Sequence, residues 1–222
     1  MTPTVRPRRV TPTVLAIGSM KGGVAKTTTA LYLAAYMARR LGGTAACPVV
    51  GLIDRDESRN LTTLLDMRPD LRVPGLVLLP GEDVPAASAS SDAASDLRLV
   101  IIDTPPGFKA IRSLRAAHLV IVPTVPEDQG VANLVKYLQR LDDERLTVNP
   151  HMQLVAVLPT KTLPRTQLHT QRLADIMAIA ARRTPPLLVL PPVPHRMSIA
   201  NYDLRAAEYA IVGEEVARHA AF

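Results

Sequence analysis

Lys21, Gly22, Gly23, Val24, Ala25, Lys26, Thr27 and Thr28 form the stretch of this chain best suited to chemistry. Glycines let the main chain close on an anion, so that successive N–H groups point at it. A helix start directly behind adds unpaired donors and a partial positive charge. In such a loop Lys26 neutralises the β- and γ-phosphates, and the Thr27 hydroxyl ligates Mg²⁺. The bland alternative is a glycine turn capping an ordinary helix. The apolar run before the loop and the helical pattern after it favour the phosphate site.

Carboxylates complete the set. Asp54 and Asp56 end the apolar run 48–53, and one intervening residue places both on the same side of an extended chain. Asp56 either caps the next helix or serves a metal ion and an attacking water. Asp103 closes the aliphatic run 97–102. That is the Walker B pattern, whose carboxylate holds Mg²⁺ through water.

These residues need a scaffold that gathers strand ends. Aliphatic runs predict strands at 14–17, 48–53, 76–79, 97–103, 119–123, 154–158 and 187–190. Helical spacing predicts helices at 29–41, about 128–141, about 166–181 and 206–220, with a short one beginning at 61–65. Residues 81–96 fit either a short helix or a loose crossover. The alternation predicts a single α/β P-loop domain, with a mostly parallel central sheet and helices on both faces. Its ligand crevice lies at the C-terminal strand ends. Residues 14–222 make that domain. Residues 1–13, with Arg6, Arg8, Arg9 and three prolines, read as a flexible basic arm. The arm is a solvated tail or a non-specific DNA contact.

Composition narrows the classes. Aromatics are 3% with no Trp, so the core must be aliphatic. Cys47 is the single cysteine, which excludes an intramolecular disulfide and a site of clustered cysteines. It cannot supply the paired ligands of an iron–sulfur electron carrier. No apolar run approaches the ~20 residues that span a bilayer. No apolar segment follows the first arginines as in a secretory signal. The net charge of +6 includes three arginines in the arm. A net of +5 falls in 161–205, where Lys161, Arg165, Arg172, Arg182, Arg183, Arg196 and Arg205 face only Asp175 and Asp203. Such a cluster suits a phosphate backbone, or it is solvated arginines on ordinary helices.

From Lys21 to Thr28 the sequence resembles the deviant Walker A ATPases, that is, ParA partition ATPases, MinD and their relatives. The deviant feature is the extra lysine, Lys21. The resemblance runs over roughly residues 13–202. It includes 53–62 as the second motif, 101–106 as the Walker B stretch and 123–127 as the segment that follows in ParA proteins. It implies a phosphate wrap by Gly22, Gly23, Val24, Ala25, Lys26, Thr27 and Thr28. It places Mg²⁺ on Thr27 with Asp54 and Asp103 in the outer shell, and gives Asp56 the attacking water. Lys21 would reach the partner subunit's phosphates in an ATP-sandwiched homodimer, stabilising the transferring phosphoryl group as an arginine finger does. Position alone puts Thr160, Lys161 and Pro192 at the adenine.

The resemblance further implies ATP and Mg²⁺ as cofactors, weak intrinsic hydrolysis and a cytoplasmic, nucleoid-associated location. The dimer would bind DNA non-specifically through Arg165, Arg172, Arg182, Arg183 and Arg196, and a ParB-type centromere-binding partner would stimulate hydrolysis. No membrane partner is expected, because 206–220 lacks the basic amphipathic helix of MinD. Two rivals remain: an ATP-ordered DNA-binding scaffold with incidental hydrolysis, and a relative that positions non-DNA cargo.

Three departures from the family pattern matter. Ala25 replaces a glycine and is expected at negative φ with normal nucleotide binding. Glu57-Ser58-Arg59 replaces Pro-Gln-Gly, which bears on switching. Ser198 stands where an arginine is usual, with His195 and Arg196 as substitutes. Thirteen leading residues cannot hold a helix-turn-helix, so operator binding is not expected.

Overall fold

The computed structural model describes residues 11–80, 96–147, 149–152 and 154–219. Most of the stretch 81–96 and of the basic arm lies outside the described residues. Seven strands form one parallel sheet: β1 (Thr13–Ile17), β2 (Val50–Asp54), β3 (Leu76–Leu79), β4 (Leu99–Asp103), β5 (Leu119–Thr124), β6 (Leu154–Pro159) and β7 (Leu188–Val189). Their order is β3-β2-β4-β1-β5-β6-β7. Thr13 already pairs with Leu99, so the domain begins one residue inside the expected arm.

The strands are aliphatic throughout because both faces are covered. Leu15, Ile17, Leu52, Ile101 and Ile121 meet α1 (Lys26–Arg40) and α7 (Ala207–His219) in one core. Ala16, Val120, Val122 and Val157 meet α4 (Asp128–Thr147) and α5 (Gln167–Ala181) in the other. Short helices α2 (Asn60–Met67), α3 (Ile111–Leu114) and α6 (Met197–Ala200) fill the connections. The cores are aliphatic, yet their largest fully buried side chains include Tyr32, Tyr137 and Tyr209. The Tyr32 and Tyr209 rings stack at 4.5 Å between centroids, joining α1 to α7.

Two helices differ from the sequence pattern. α1 starts at Lys26 rather than at 29, because the end of the loop already winds into the first turn. α4 continues past 141 to Thr147. Its charged stretch resembles a loop, but Glu144 is buried and pairs with Arg140 at 2.7 Å.

The topology sets the site. β1 lies between β4 and β5, and the chain crosses to opposite sides of it in the two halves of the fold. That switch point opens a crevice at the C-terminal strand ends. The register sets Asp103 beside both Ile17 and Asp54.

Candidate active site

Residues 18–25 link β1 to α1 above the centre of the sheet. Gly23 has φ +76°, and a Cβ at Gly22 or Gly23 would meet nothing within 4 Å, which leaves the loop open to an anion. Below the loop, a Cβ at Gly18 would lie 2.2 Å from the Tyr137 hydroxyl, so only glycine fits there. Sequence spacing gave no sign of this support from α4.

Ala25 overturns one expectation. Its φ is +66°, left-handed rather than negative. The loop needs that turn to bring α1 in behind the phosphates, and the surrounding structure holds Ala25 in it at a cost of about 1–2 kcal/mol. Ala25→Gly removes the steric cost but adds freedom to the unfolded chain. The expected net gain is about 0.5–1 kcal/mol, read as a rise of about 1–4 °C in the thermal midpoint. An unchanged or lower midpoint would count against a strained loop.

Lys26 is only 6% exposed, and Asp103 is fully buried. Burial lowers the Lys26 pKa, while the charges of Asp103 and Asp56 oppose the shift. Burial pushes Asp103 up to about 7; the Thr27 hydrogen bond and Lys26 pull it down, and Asp54 and Asp56 push it further up. The Thr27 hydroxyl donates to Asp103 Oδ2 at 2.6 Å, which leaves its lone pairs available to a cation. Among the described residues, Asp103 Oδ1 is buried with no hydrogen-bond partner. An orphaned carboxylate oxygen beside a hydroxyl fits the water shell of Mg²⁺, which keeps several waters and takes few protein ligands. Among the described residues, no group of three or more His, Cys, Asp or Glu could hold a metal alone. A Mg²⁺ ion held here would take the rest of its shell from water and nucleotide phosphates.

Asp54 and Asp56 sit at the same crevice but are partly engaged. Asp54 Oδ2 accepts the Thr62 N–H and hydroxyl at 2.9 Å each, and Oδ1 accepts the Asp56 N–H at 3.2 Å. Asp54 thus ties the end of β2 to α2. Asp56 Oδ1 accepts the Ser58 N–H at 3.1 Å and the Ser58 hydroxyl at 2.7 Å. It closes a local turn and does not cap α2, whose N-cap position is Arg59.

Thr160 and Lys161 reach the loop directly. The Thr160 hydroxyl donates to the Val24 carbonyl at 3.1 Å, and Lys161 Nζ donates to the Gly23 carbonyl at 2.7 Å. Both also line a cavity of about 210 Å³ with Thr28, Val193, Pro194, Ile199, Tyr202 and Tyr209. This mixed apolar pocket beside the loop suits a nucleobase. Pro192, assigned to the adenine by position, is exposed and does not line it; Val193 and Pro194 take that place. The left-handed residues Lys161 and Tyr202 border this pocket, as Ala25 does.

Lys21 is exposed, and its Nζ donates to Gln129 Oε1 at 2.9 Å, at the start of α4. Gln129 was not singled out by sequence.

The five arginines expected on DNA do not form one free patch. Arg172 pairs with Asp128 at 2.7 Å and also with Asp175. Arg183 pairs with Asp142, and Arg196 pairs with Glu208 at 2.7 Å. Arg165 and Arg182 flank opposite ends of α5, a helix roughly 22 Å long at helical rise. Arg205 lines a separate cleft with Arg39, whose pKa falls through burial and through the Arg205 charge. No helix among the described residues is long and apolar enough to cross a membrane.

Residues 15–207 match the CobQ/CobB/MinD/ParA nucleotide binding domain. The chain is 31% identical to the chromosome-partitioning ATPase Soj of Thermus thermophilus, over 93% of this chain and 88% of that protein. It is 26% identical to the chromosome partitioning protein ParA of Caulobacter vibrioides, over 74% of this chain and 75% of that one. Cobyrinic acid a,c-diamide synthase from Mycobacterium smegmatis, solved with ADP and magnesium, superposes with a TM-score of 0.71 at 28% identity, covering 95% and 96% of the two chains. The loop, the Thr27–Asp103 pair and these matches agree: this chain belongs to the CobQ/CobB/MinD/ParA nucleotide-binding family and is a P-loop ATPase of the MinD–ParA type.

Proposed function

We propose that this chain is an ATP-driven DNA partition switch. ATP and Mg²⁺ bind at Lys26, Thr27 and Asp103, and two copies then close face to face over two nucleotides. Asp56 orients the attacking water, and Lys21 enters the partner's site. The ATP-bound dimer holds DNA non-specifically, and a ParB-type centromere-binding partner speeds hydrolysis and release. Cargo of this kind matches Soj, a chromosome-partitioning ATPase, and ParA, a chromosome partitioning protein.

The observation that carries this reading is Lys21. A cation at the mouth of the phosphate loop that is exposed and, among the described residues, hydrogen-bonds a neutral amide is available to a second subunit. Arg165, Arg182 and the Arg39–Arg205 pair are the cations that support phosphate-backbone contact, because the acids that neutralise Arg172, Arg183 and Arg196 do not reach them. The test is binding to a DNA duplex of arbitrary sequence with ATP, with ADP and without nucleotide. ATP alone should give tight binding, weakened steeply by salt. Binding that ignores the nucleotide, or no binding at all, would overturn the switch.

A further inference from the structure

We propose that the Glu57–Lys109 ion pair is a tether that positions Asp56, and so sets the turnover of this site. The inference rests on the role given to Asp56 above. Lys109 Nζ donates to both carboxylate oxygens of Glu57, at 2.9 Å each, across 52 residues of sequence. Glu57 lies in the run that departs from the family's second motif, where the usual residue is proline. A proline would stiffen the backbone at that point. Here a side-chain link spans to another loop instead.

Both ends of the link lead to the reaction centre. On one side, residues 56–59 form a closed turn. The Arg59 N–H donates to the Asp56 carbonyl at 2.9 Å, and Ser58 holds the Asp56 carboxylate. Arg59 completes the turn at φ +48°, a conformation a non-glycine residue keeps only when its surroundings hold it. Glu57 is the residue of this turn that reaches Lys109. On the other side, Lys109 sits in the 3₁₀ turn Gly107–Ala110, just after the strand that ends in Asp103. The Gly107 N–H donates to the Ser19 carbonyl at 2.9 Å, at the entrance to the phosphate loop. Ser19, Gly107, Lys109, Glu57 and Asp56 therefore connect the loops after β1, β4 and β2 in sequence. Asp56 is placed relative to the phosphates through these contacts as well as through β2.

The side chains of Lys109 and Glu57 are 68% and 74% exposed. A pair this exposed adds little to global stability and is weakened by salt. It can still bias a short surface turn, whose own folding free energy is small. The expected effect is a loss of about two- to fivefold in kcat when the link is cut, the range an exposed ion pair supports.

The test compares the Mg²⁺-ATP turnover of the full chain with Glu57→Gln, Lys109→Gln and the swapped double variant Glu57→Lys/Lys109→Glu. Each single variant should lose kcat at low salt while KM for ATP and the thermal midpoint stay unchanged. The swap should recover most of the loss, and the gap to wild type should close at high salt. Single variants with wild-type kcat, or a swap no better than the singles, would overturn the tether. Asp56→Ala separates the two levels. If it abolishes turnover while the tether variants match wild type, only the tether fails. If it leaves turnover unchanged, the role of Asp56 fails, and the tether has nothing to position.

Discussion

Lys26→Ala is expected to lower ATP affinity by about 100-fold or more, the largest single loss available in this site. A charge-assisted contact to phosphate contributes about 1.5–3 kcal/mol, and removing one partner of a buried charge pair costs about 3–5 kcal/mol. About 3 kcal/mol is already more than 100-fold in affinity. The local charge makes the upper part of that range the better expectation. Asp54 and Asp56 both push the Asp103 carboxyl up, and Lys26 is the cation whose charge acts with Asp103 and Asp56. Without it, a polyphosphate meets three carboxylates and, among the described residues, no buried Lys or Arg. Lys26→Arg should rescue poorly, because a planar guanidinium needs a different geometry from a compact ammonium. Calorimetric titration with ATP and Mg²⁺ measures both variants, and a thermal melt confirms that they fold. Affinity within threefold of wild type would mean that the main-chain N–H groups carry the phosphates without Lys26.

What the sequence reveals and what it hides follows from how far each contact reaches. Lys26, Thr27 and Asp103 are legible because each sits at a fixed offset from a glycine run or a strand end. β3 is legible at Leu76–Leu79 because four aliphatic residues stand between turn residues. Gln129 is hidden, since its bond to Lys21 joins positions 108 residues apart. Tyr137 is hidden because it looks like one more apolar position on α4, and only the packing sets its hydroxyl against Gly18. Position assigns Thr160 and Lys161 to the adenine, and the structure shows their hydrogen bonds going to the loop's own carbonyls. Charge counting over 161–205 misled because Asp128, Asp142 and Glu208 come from outside that stretch to neutralise three of its arginines. The backbone of Ala25 could not be read from its residue type. Alanine prefers negative φ, and here the loop's path prevails over that preference.

Lys21→Ala should separate binding from the two-subunit reaction. In its own subunit Lys21 makes a hydrogen bond to Gln129 and is exposed, so ADP affinity is expected to stay within about twofold, the scale of one exposed contact. Across a dimer the same ammonium would meet developing charge on a transferring phosphoryl group in a site closed to water. Cations supplied in this way change kcat by about 10³–10⁵ in other phosphoryl-transfer enzymes, so a loss of at least about 100-fold in ATP turnover is the expected result. Equal loss of ADP binding and turnover would mean that Lys21 only supports its own loop. A mixing experiment decides between the two subunits. Lys21→Ala and Asp56→Ala should each be inactive alone. In a mixed dimer, the Asp56→Ala subunit can lend its Lys21 to the partner's site, which keeps its own Asp56. One complete site per mixed dimer, with half of randomly paired dimers mixed, gives about a quarter of the wild-type rate. If Lys21 acted within its own subunit, neither site of the mixed dimer would be complete, and mixing would restore nothing.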